Sequence, residues 1–388
     1  MPHSRRSFLQ LSTAASAALA LRIVTEPMLA LAARQPASAG AVMIDANENP
    51  LGPCEAAREA IAAIIPQGGR YLFPQTEQFA KTLASSLGVP ADHVRVYPGS
   101  SEPLNYTVLA FISAKASLVT ADPSYEPPMY AAQRAGTRVV KVPLTKSYAC
   151  DVKAMLAAPD AGVFYICSPN NPTGTLTSLS DVEYLAEHKP KSAVVLVDEA
   201  YIHFCDAPSA IELVKAGKDV IVLRTFSKLY GMAGLRCGCA IARPELLQRL
   251  QDYSGFSPMP VTAIAAASAS LKEANLVAGR RRINAEVRAE TFAWLDRNGY
   301  SYIPSVSNCF LLDTRHPADQ AIKAMAQQGI MIGRVWPAMP NYARITVGTR
   351  EEMQKFQAAF QNVMTGKVSA RLEKQWKPRS IDGIPLPV

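Results

Sequence analysis

Several classes of protein are excluded by what the sequence lacks. Only 19% of its 388 residues are charged, and lysine and arginine are scattered, with Arg280-Arg281-Arg282 as the one dense run. The net charge of +8 therefore does not predict a nucleic-acid-binding surface. The seven cysteines are odd in number and lack the spacing of a disulfide framework. The five histidines form no cluster and Cys237-x-Cys239 has no matching pair, so no metal site is predicted.

No apolar run approaches the length of a membrane-spanning helix, so an integral membrane protein is not expected either. Apolar residues make up 49% of the chain, which is enough for a large buried core and excludes intrinsic disorder of the chain as a whole. At roughly 150 residues per domain, the length predicts two or three domains.

The first 39 residues have their own pattern. Twin arginines, Arg5-Arg6, stand before a short apolar stretch from Leu11 to Leu21, which Arg22 and Glu26 interrupt. Two small-residue motifs follow, at residues 30–32 and 37–39. This order resembles a twin-arginine export signal, which implies an exported, periplasmic protein. The alternative is a frayed N-terminal helix with two chance arginines.

Four short runs that are apolar at nearly every position predict strands, at residues 94–97, 162–167, 193–197 and 220–223. Such runs suit strands buried on both faces, as in a parallel sheet covered by helices. Helix-length segments separate them, and Ser180 with Glu183 predicts a capping box at the start of one. The pattern predicts an α/β fold, with a large domain whose mainly parallel sheet is sandwiched by helices.

The pattern changes after a long helical stretch at 272–298. Short strands at 308–312, 329–332 and 344–347 alternate with helices at 318–328 and 351–364, which predicts a smaller α+β domain. The predicted boundaries are an export signal at 1–39, a segment joining the small domain at 40–65, a large cofactor-binding domain at 66–280, the small domain at 281–370 and a tail at 371–388.

Reactive side chains follow the predicted strands. Ligands of open parallel sheets bind beyond the carboxyl ends of the strands, so these positions predict the site. The runs ending at residues 167 and 197 are followed by the amide of Asn171 and by the carboxylate and phenol of Asp198 and Tyr201. The run ending at 223 is followed by the lysine, hydroxyls and arginine of Thr225, Ser227, Lys228 and Arg236, and the run ending at 97 by the small-residue turn at Ser100 and Ser101.

This set suits pyridoxal phosphate. A lysine is needed to condense with the cofactor aldehyde and to move a proton, and a carboxylate keeps the pyridine nitrogen protonated. Amide and phenol donors suit the ring oxygen. A helix start, hydroxyls and a guanidinium suit the phosphate.

The same segments resemble fold-type I pyridoxal-phosphate aminotransferases of class I/II, in the histidinol-phosphate aminotransferase-like branch. The matching segments run in order from Asn47-Glu48-Asn49-Pro50 to Arg344-Ile345-Thr346-Val347, which is nearly the whole chain after residue 40. The resemblance implies the fold-type I architecture, pyridoxal 5'-phosphate as the cofactor, a homodimer, and an α-amino acid and a 2-oxo acid as substrates.

The resemblance also implies a role for each site residue. Lys228, Asp198 and Tyr201 would be catalytic, with Lys228 attaching the cofactor, Asp198 facing the ring nitrogen, and Tyr201 with Asn171 bonding the ring oxygen. Tyr125 would stack on the ring, and Arg344 would bind the substrate α-carboxylate. The cofactor phosphate would be held by Ser100, Ser101, Thr225, Ser227 and Arg236, with Tyr71 reaching the partner subunit's phosphate.

Departures from the family pattern bear on the substrate. Relatives specialised for histidinol phosphate carry an arginine where this chain has Gly333, and here Arg334 comes one residue later. This departure disfavours phosphate-bearing substrates. Trp336 and Met339 suit a larger apolar or aromatic side chain, and the alternative is that they are packing residues. A decarboxylase on the same scaffold and a pyridoxal-phosphate-binding protein without turnover are the alternatives to the aminotransferase. Arg344, needed only for substrate, argues against the latter.

Overall fold

The computed structural model describes residues 24–26, 28–29, 40–255 and 258–366. Most of the predicted export signal and the tail at 371–388 therefore lie outside the described residues. Within the described part of the chain, no helix combines the length and apolar character that crossing a membrane requires.

The larger body contains a seven-stranded sheet in the order β2-β8-β7-β6-β5-β3-β4. All neighbouring pairs are parallel except those of β8, which runs antiparallel to both β7 and β2. The mainly parallel α/β sheet is confirmed. Its strands are β2 Val94–Tyr97, β3 Ser117–Asp122, β4 Val139–Pro143, β5 Ala161–Cys167, β6 Val194–Asp198, β7 Val220–Thr225 and β8 Gly238–Ile241.

The central strands are apolar throughout because both of their faces are covered. In β5, Phe164 and Ile166 belong to one apolar cluster, whereas Val163, Tyr165 and Cys167 belong to the cluster on the opposite face. Side chains alternate between the two faces of a strand, so covering both faces requires an uninterrupted apolar run.

Helices cover the sheet and contribute to the second domain. Their bounds are Glu55–Ile64, Phe73–Leu87, Ser101–Phe111, Pro127–Arg134, Val152–Leu156, Leu179–His188, Ile211–Lys215, Pro244–Gln251, Val261–Lys272, Leu276–Arg297, Ala318–Gln327 and Arg350–Met364.

Two expectations about helices need correction. The N-cap of Leu179–His188 is Ser178, whose hydroxyl accepts from the amide of Asp181, so the predicted box on Ser180 is two residues too late. The predicted stretch at 272–298 is the second of two helices, because Glu273 is extended at ψ 92° and breaks the run after Lys272. The second helix stops before Gly299, whose φ of 67° is left-handed, as the sequence predicts.

The smaller body contains two two-stranded sheets. β9 Cys309–Asp313 pairs antiparallel with β11 Tyr342–Thr346, and β1 Val42–Ile44 pairs parallel with β10 Ile330–Ile332. The N-terminal strand thus joins the C-terminal domain. The helix Glu55–Ile64 packs instead on Val261–Lys272, beside the large sheet.

Candidate active site

A cavity opens at the carboxyl ends of β5, β6 and β7. It collects ten of the twelve side chains that the sequence predicts for the site: Ser100, Ser101, Tyr125, Asn171, Asp198, Tyr201, Thr225, Ser227, Lys228 and Arg236. Arg344 lies behind Asn171, in direct contact with it. Tyr71 does not line this cavity.

Asp198 ends β6 and is 2% exposed. Its Oδ1 accepts from the amide of Ala200 at 3.1 Å and its Oδ2 from the hydroxyl of Tyr165 at 3.1 Å. Burial raises the pKa of the Asp198 carboxyl to about 6, because desolvation outweighs both hydrogen bonds and the charge of Lys228. A cationic partner inside the cavity would therefore strongly stabilise the ionised form of this desolvated carboxylate.

Lys228 follows β7 and is 8% exposed. Its Nζ donates to the carbonyl oxygen of Ala46 at 3.2 Å and lies 5.7 Å from the centre of the Tyr201 ring. Burial lowers the pKa of the Lys228 amine, despite the opposing effect of the Glu26 carboxylate. A lowered pKa increases the fraction of neutral amine, which is the form that attacks a carbonyl carbon.

Asn171 and Arg344 join the two domains at the site. Nη1 of Arg344 donates to Oδ1 of Asn171 at 2.9 Å, and Nη2 of Arg344 donates to the carbonyl oxygen of Asp45. The side chain of Arg344 is completely buried. Nδ2 of Asn171 and Nε of Arg344 are buried donors that find no hydrogen-bond partner among the described residues, which is a feature of sites that bind a ligand.

Hydroxyls and one guanidinium form a cradle after β7. The hydroxyl of Thr225 donates to that of Ser227 at 2.9 Å, and Nη1 of Arg236 donates to the same Ser227 oxygen at 3.3 Å. Gly99 has a φ of 90°, which residues with a side chain rarely adopt, and a Cβ there would displace the Arg236 guanidinium. Ser101 begins a helix of 11 residues, so that backbone amides and the positive helix end face the cavity.

The two tyrosines of the cavity differ in their partners. The hydroxyl of Tyr201 accepts from Nδ2 of Asn47 at 2.9 Å, which ties the end of β1 to the large domain. Burial raises the pKa of both Tyr201 and Tyr125 well above the usual value, so both hydroxyls keep their protons.

The sequence did not reveal an ion-pair cluster next to Arg344. Arg334 pairs with both oxygens of Glu126, at 2.9 and 3.0 Å, and its guanidinium stacks 4.4 Å from the centre of the Trp336 ring. Glu26, which the sequence assigned to the export signal, accepts from Arg344 at 2.7 Å and from Arg334 at 3.3 Å. These pairings join positions that are 208 to 318 residues apart, so no local motif announces them.

Tyr71 lies outside the cavity of its own chain. Its ring stacks on Phe73 with 5.5 Å between the centres, and 64% of the residue is exposed. An exposed stacked aromatic pair is available for contact with another molecule.

The residues present fit pyridoxal phosphate. The hydroxyl and guanidinium cradle at a helix start suits a phosphate, and the desolvated Asp198 suits a protonated ring nitrogen. The unpartnered Nδ2 of Asn171 supplies a donor for the ring oxygen. Lys228 lies in the same cavity, where an aldehyde carbon could reach it.

Comparison with known proteins supports the same chemistry. The family Aminotransferase class I and II matches residues 41–360. The chain is 34% identical over 325 residues to the histidinol-phosphate aminotransferase of Symbiobacterium thermophilum, covering 82% of this chain and 89% of that protein. It is 34% identical over 343 residues to the aromatic amino acid aminotransferase of Cutibacterium acnes, covering 86% and 96%.

Solved structures agree on the fold. The histidinol-phosphate aminotransferase from Sinorhizobium meliloti, solved in complex with pyridoxal-5'-phosphate, superimposes with a TM-score of 0.80 at 25% identity. The superposition covers 94% of this chain and 99% of that chain. The predicted fold-type I architecture and the predicted cofactor are confirmed.

Proposed function

The chain belongs to the class I and II aminotransferase family, and from that premise we propose that it transfers the amino group of an α-amino acid with a neutral, apolar or aromatic side chain to a 2-oxo acid. Its activity as a pyridoxal-phosphate-dependent aminotransferase follows from the family and from the relatives, which favour this function over the decarboxylase. What the proposal adds is the class of side chain, the roles of the residues, the dimer and the export.

The bond between Arg334 and Glu126 carries the proposed substrate class. Arg334 is the cation closest in sequence to the position where phosphate-specific relatives have theirs, yet Glu126 holds it on both oxygens. The pair is buried, at 8% exposure for each residue, so Glu126 neutralises the guanidinium with little solvent screening. A phosphate dianion would have to be desolvated without a free positive charge to receive it, whereas a neutral side chain meets no such cost.

The walls of this part of the site are aromatic. Trp336 is 1% exposed, and its indole nitrogen donates to the carbonyl oxygen of Ser124 at 3.1 Å, which fixes the ring. Tyr125 comes two residues before the helix Pro127–Arg134, and Tyr130 lies on that helix. A fixed aromatic wall offers area to an apolar or aromatic ring at little entropic cost.

The roles of the cofactor residues are part of the proposal. Pyridoxal phosphate, when bound, withdraws electrons from the substrate Cα. Asp198 holds the proton on the ring nitrogen, and Asn171 and Tyr201 donate to the ring oxygen. Ser100, Ser101, Thr225, Ser227 and Arg236 hold the phosphate, and Tyr125 stacks on the ring.

Two residues act on the substrate itself. Lys228 attaches the cofactor and then carries a proton to and from the substrate Cα, as its lowered pKa favours. Arg344 binds the α-carboxylate through its planar fork, with Asn171 holding the guanidinium in orientation.

We also propose a homodimer and an exported mature enzyme. The exposed Tyr71 supports the dimer, because the family resemblance gives this tyrosine a role in the partner's phosphate site. The order of twin arginines, apolar stretch and small-residue motifs supports export through the twin-arginine route.

A panel of amino acids tests the substrate class. Each amino acid is added to the cofactor-loaded enzyme without a 2-oxo acid, and the absorbance of the cofactor reports conversion to its amine form. Phenylalanine, tyrosine and leucine are expected to convert it at lower concentrations than aspartate or O-phosphoserine. A preference for O-phosphoserine or histidinol phosphate would contradict the proposal.

A further inference from the structure

The described part of the N-terminal segment lies in the substrate site. Glu26 is 7% exposed and lines the same cavity as Lys228 and Asp198. Its Oε1 accepts from Nη2 of Arg344 at 2.7 Å, and its Oε2 accepts from Nη2 of Arg334 at 3.3 Å. A single carboxylate thus bridges the two buried arginines.

The contact also has an apolar part. Val24 and Leu29 are each 3% exposed and pack against Tyr125 and Tyr130. The segment therefore presents a carboxylate to the arginines and apolar side chains to the aromatic wall. An apolar α-amino acid combines the same two features.

The charges fit a replaceable carboxylate. Arg334 and Arg344 bring two positive charges, and Glu126 balances one of them. Glu26 balances the other. When Glu26 leaves the site, one positive charge therefore becomes available to bind the carboxylate of a substrate. Although burial opposes it, the two arginines lower the pKa of Glu26, so that it is ionised in the contact.

Glu26 lies on the part of the chain that cleavage of the predicted export signal would remove. Both predicted cleavage motifs, at residues 30–32 and 37–39, come after Glu26, so removal of the signal removes this carboxylate. Fifteen residues lie between Glu26 and Val42, where β1 begins, so the carboxylate remains tethered near the site at a high effective concentration until that cleavage.

We propose that the described residues 24–26 and 28–29 act as an internal ligand of the substrate site, with Glu26 in the place of the substrate α-carboxylate, and that this contact obstructs the site in the uncleaved chain. The inference rests on the proposed role of Arg344 and on the predicted signal. The precursor binds its cofactor but binds amino acids weakly, and cleavage after export opens the site.

The test compares four full-length chains: wild type, Glu26→Gln, Leu29→Ala and Glu55→Gln. Glu55→Gln is the matched control, since Glu55 is an exposed glutamate at the start of a helix away from the cavity. Calorimetry on the cofactor-free proteins measures the Kd for 3-phenylpropionate, a carboxylate that lacks the amino group. Hydrogen exchange measures the protection of the amides of residues 24–29.

Glu26→Gln is expected to lower the Kd for 3-phenylpropionate about tenfold or more, because affinity scales with the fraction of open molecules. Leu29→Ala is expected to lower it in the same direction, and Glu55→Gln to leave it unchanged. In the loaded enzyme the KM for the amino donor falls with Glu26→Gln while kcat is unchanged, as expected when a competing ligand is removed. In the wild type, saturating 3-phenylpropionate removes the protection of residues 24–29.

The inference is overturned if Glu26→Gln binds the carboxylate no more tightly than wild type, or if residues 24–29 exchange in wild type as fast as an unfolded peptide. A fall in kcat with Glu26→Gln would also overturn it, since Glu26 would then assist the reaction. Loss of transamination in every chain, with the gain in carboxylate affinity retained, would refute the proposed activity and leave the internal ligand standing.

Discussion

The hydroxyl of Tyr165 donates to Oδ2 of Asp198 at 3.1 Å, from the middle of one buried strand to the end of the next. The contact arises because Cys167 is the register partner of Asp198, and Tyr165, two residues earlier, lies on the same face of the sheet. Together with the amide of Ala200, the tyrosine fixes both carboxylate oxygens while leaving the group desolvated.

The first prediction is that Asp198→Asn separates stability from activity. The pKa of Asp198 is about 6 in the folded protein, against an ordinary value of 3.8. Between these values the folded state binds a proton that the unfolded chain has released, so the cofactor-free protein loses stability as pH rises through this window. The loss amounts to about 2–3 kcal/mol at pH 8, at 1.36 kcal/mol for each unit of pKa difference.

The asparagine variant has no ionisable group at this position. It can keep both hydrogen bonds, since its Oδ1 can accept from the amide of Ala200 and its Nδ2 can donate to the hydroxyl oxygen of Tyr165. Urea unfolding of the cofactor-free proteins is expected to show the variant as the more stable at pH 8 and the two as equal at pH 4. Activity is expected to fall about a hundredfold or more, as for loss of a preorganised charge. Near-native kcat with full cofactor occupancy would refute the role of Asp198.

The second prediction concerns Lys228→Ala. Transamination is expected to fall at least about a thousandfold, because Lys228 is the only lysine among the described residues that line the cavity. The variant should keep its fold and hold the cofactor non-covalently, since Asp198, Asn171 and Arg236 remain. Borohydride reduction followed by mass measurement should fix the cofactor on wild type and on an exposed control, Lys146→Ala, but not on Lys228→Ala. Turnover above a cofactor-only control would contradict the assignment.

Much of the site is predictable from sequence because the fold is built on uninterrupted apolar runs. Such runs identify strands buried on both faces, and the residues after them fall at the same edge of a parallel sheet. Asn171, Asp198 and Lys228 are found this way, and the structure brings all three to one cavity. These residues are predictable because each one follows an apolar run that is visible in the local sequence.

The remaining residues have no such signal. Glu26 meets Arg334 across 308 positions, and Glu126 meets it across 208. Tyr165 sits inside an apolar run and reads as a core residue, since only the pairing of β5 with β6 directs its hydroxyl to Asp198. Local sequence also placed the helix cap at Ser180 instead of Ser178, because both are hydroxyl residues at a plausible start.

The third prediction is that Glu126→Gln broadens the substrate range. Without the Glu126 carboxylate, Arg334 and Arg344 share the single carboxylate of Glu26, so the cluster carries one excess positive charge. The ratio of kcat/KM for histidinol phosphate to that for phenylalanine is expected to rise about tenfold, which corresponds to 1.4 kcal/mol. Glu183→Gln, at an exposed position, is the control and should leave the ratio unchanged. An unchanged ratio in Glu126→Gln would exclude Glu126 as a selectivity residue.

The fourth prediction tests the shared site of the proposed homodimer. Tyr71→Ala is expected to weaken cofactor binding, and Lys228→Ala to abolish turnover, when each is prepared alone. If Tyr71 serves the partner, a mixed dimer contains one site with both residues intact. At limiting cofactor, unfolding and refolding the two variants together should therefore give more activity than the two variants show separately. Light scattering that gives a fully active monomer, or a mixture no more active than its parts, would contradict the dimer.

The last prediction concerns export. The residues proposed to hold the cofactor come from strand ends far apart in the chain, so a chain threaded unfolded across a membrane would have to find pyridoxal phosphate on the far side. The twin-arginine route carries folded proteins, which makes Arg5-Arg6 a consistent signal for this enzyme. All seven cysteines are free, as expected for a chain that folds in a reducing compartment before it crosses.

Cells expressing the full chain should release a cofactor-loaded protein that begins after residue 32 or 39, whereas an Arg5→Lys, Arg6→Lys version should stay inside, uncleaved. Finding both versions intact and wholly cytoplasmic would show that residues 1–39 are not an export signal.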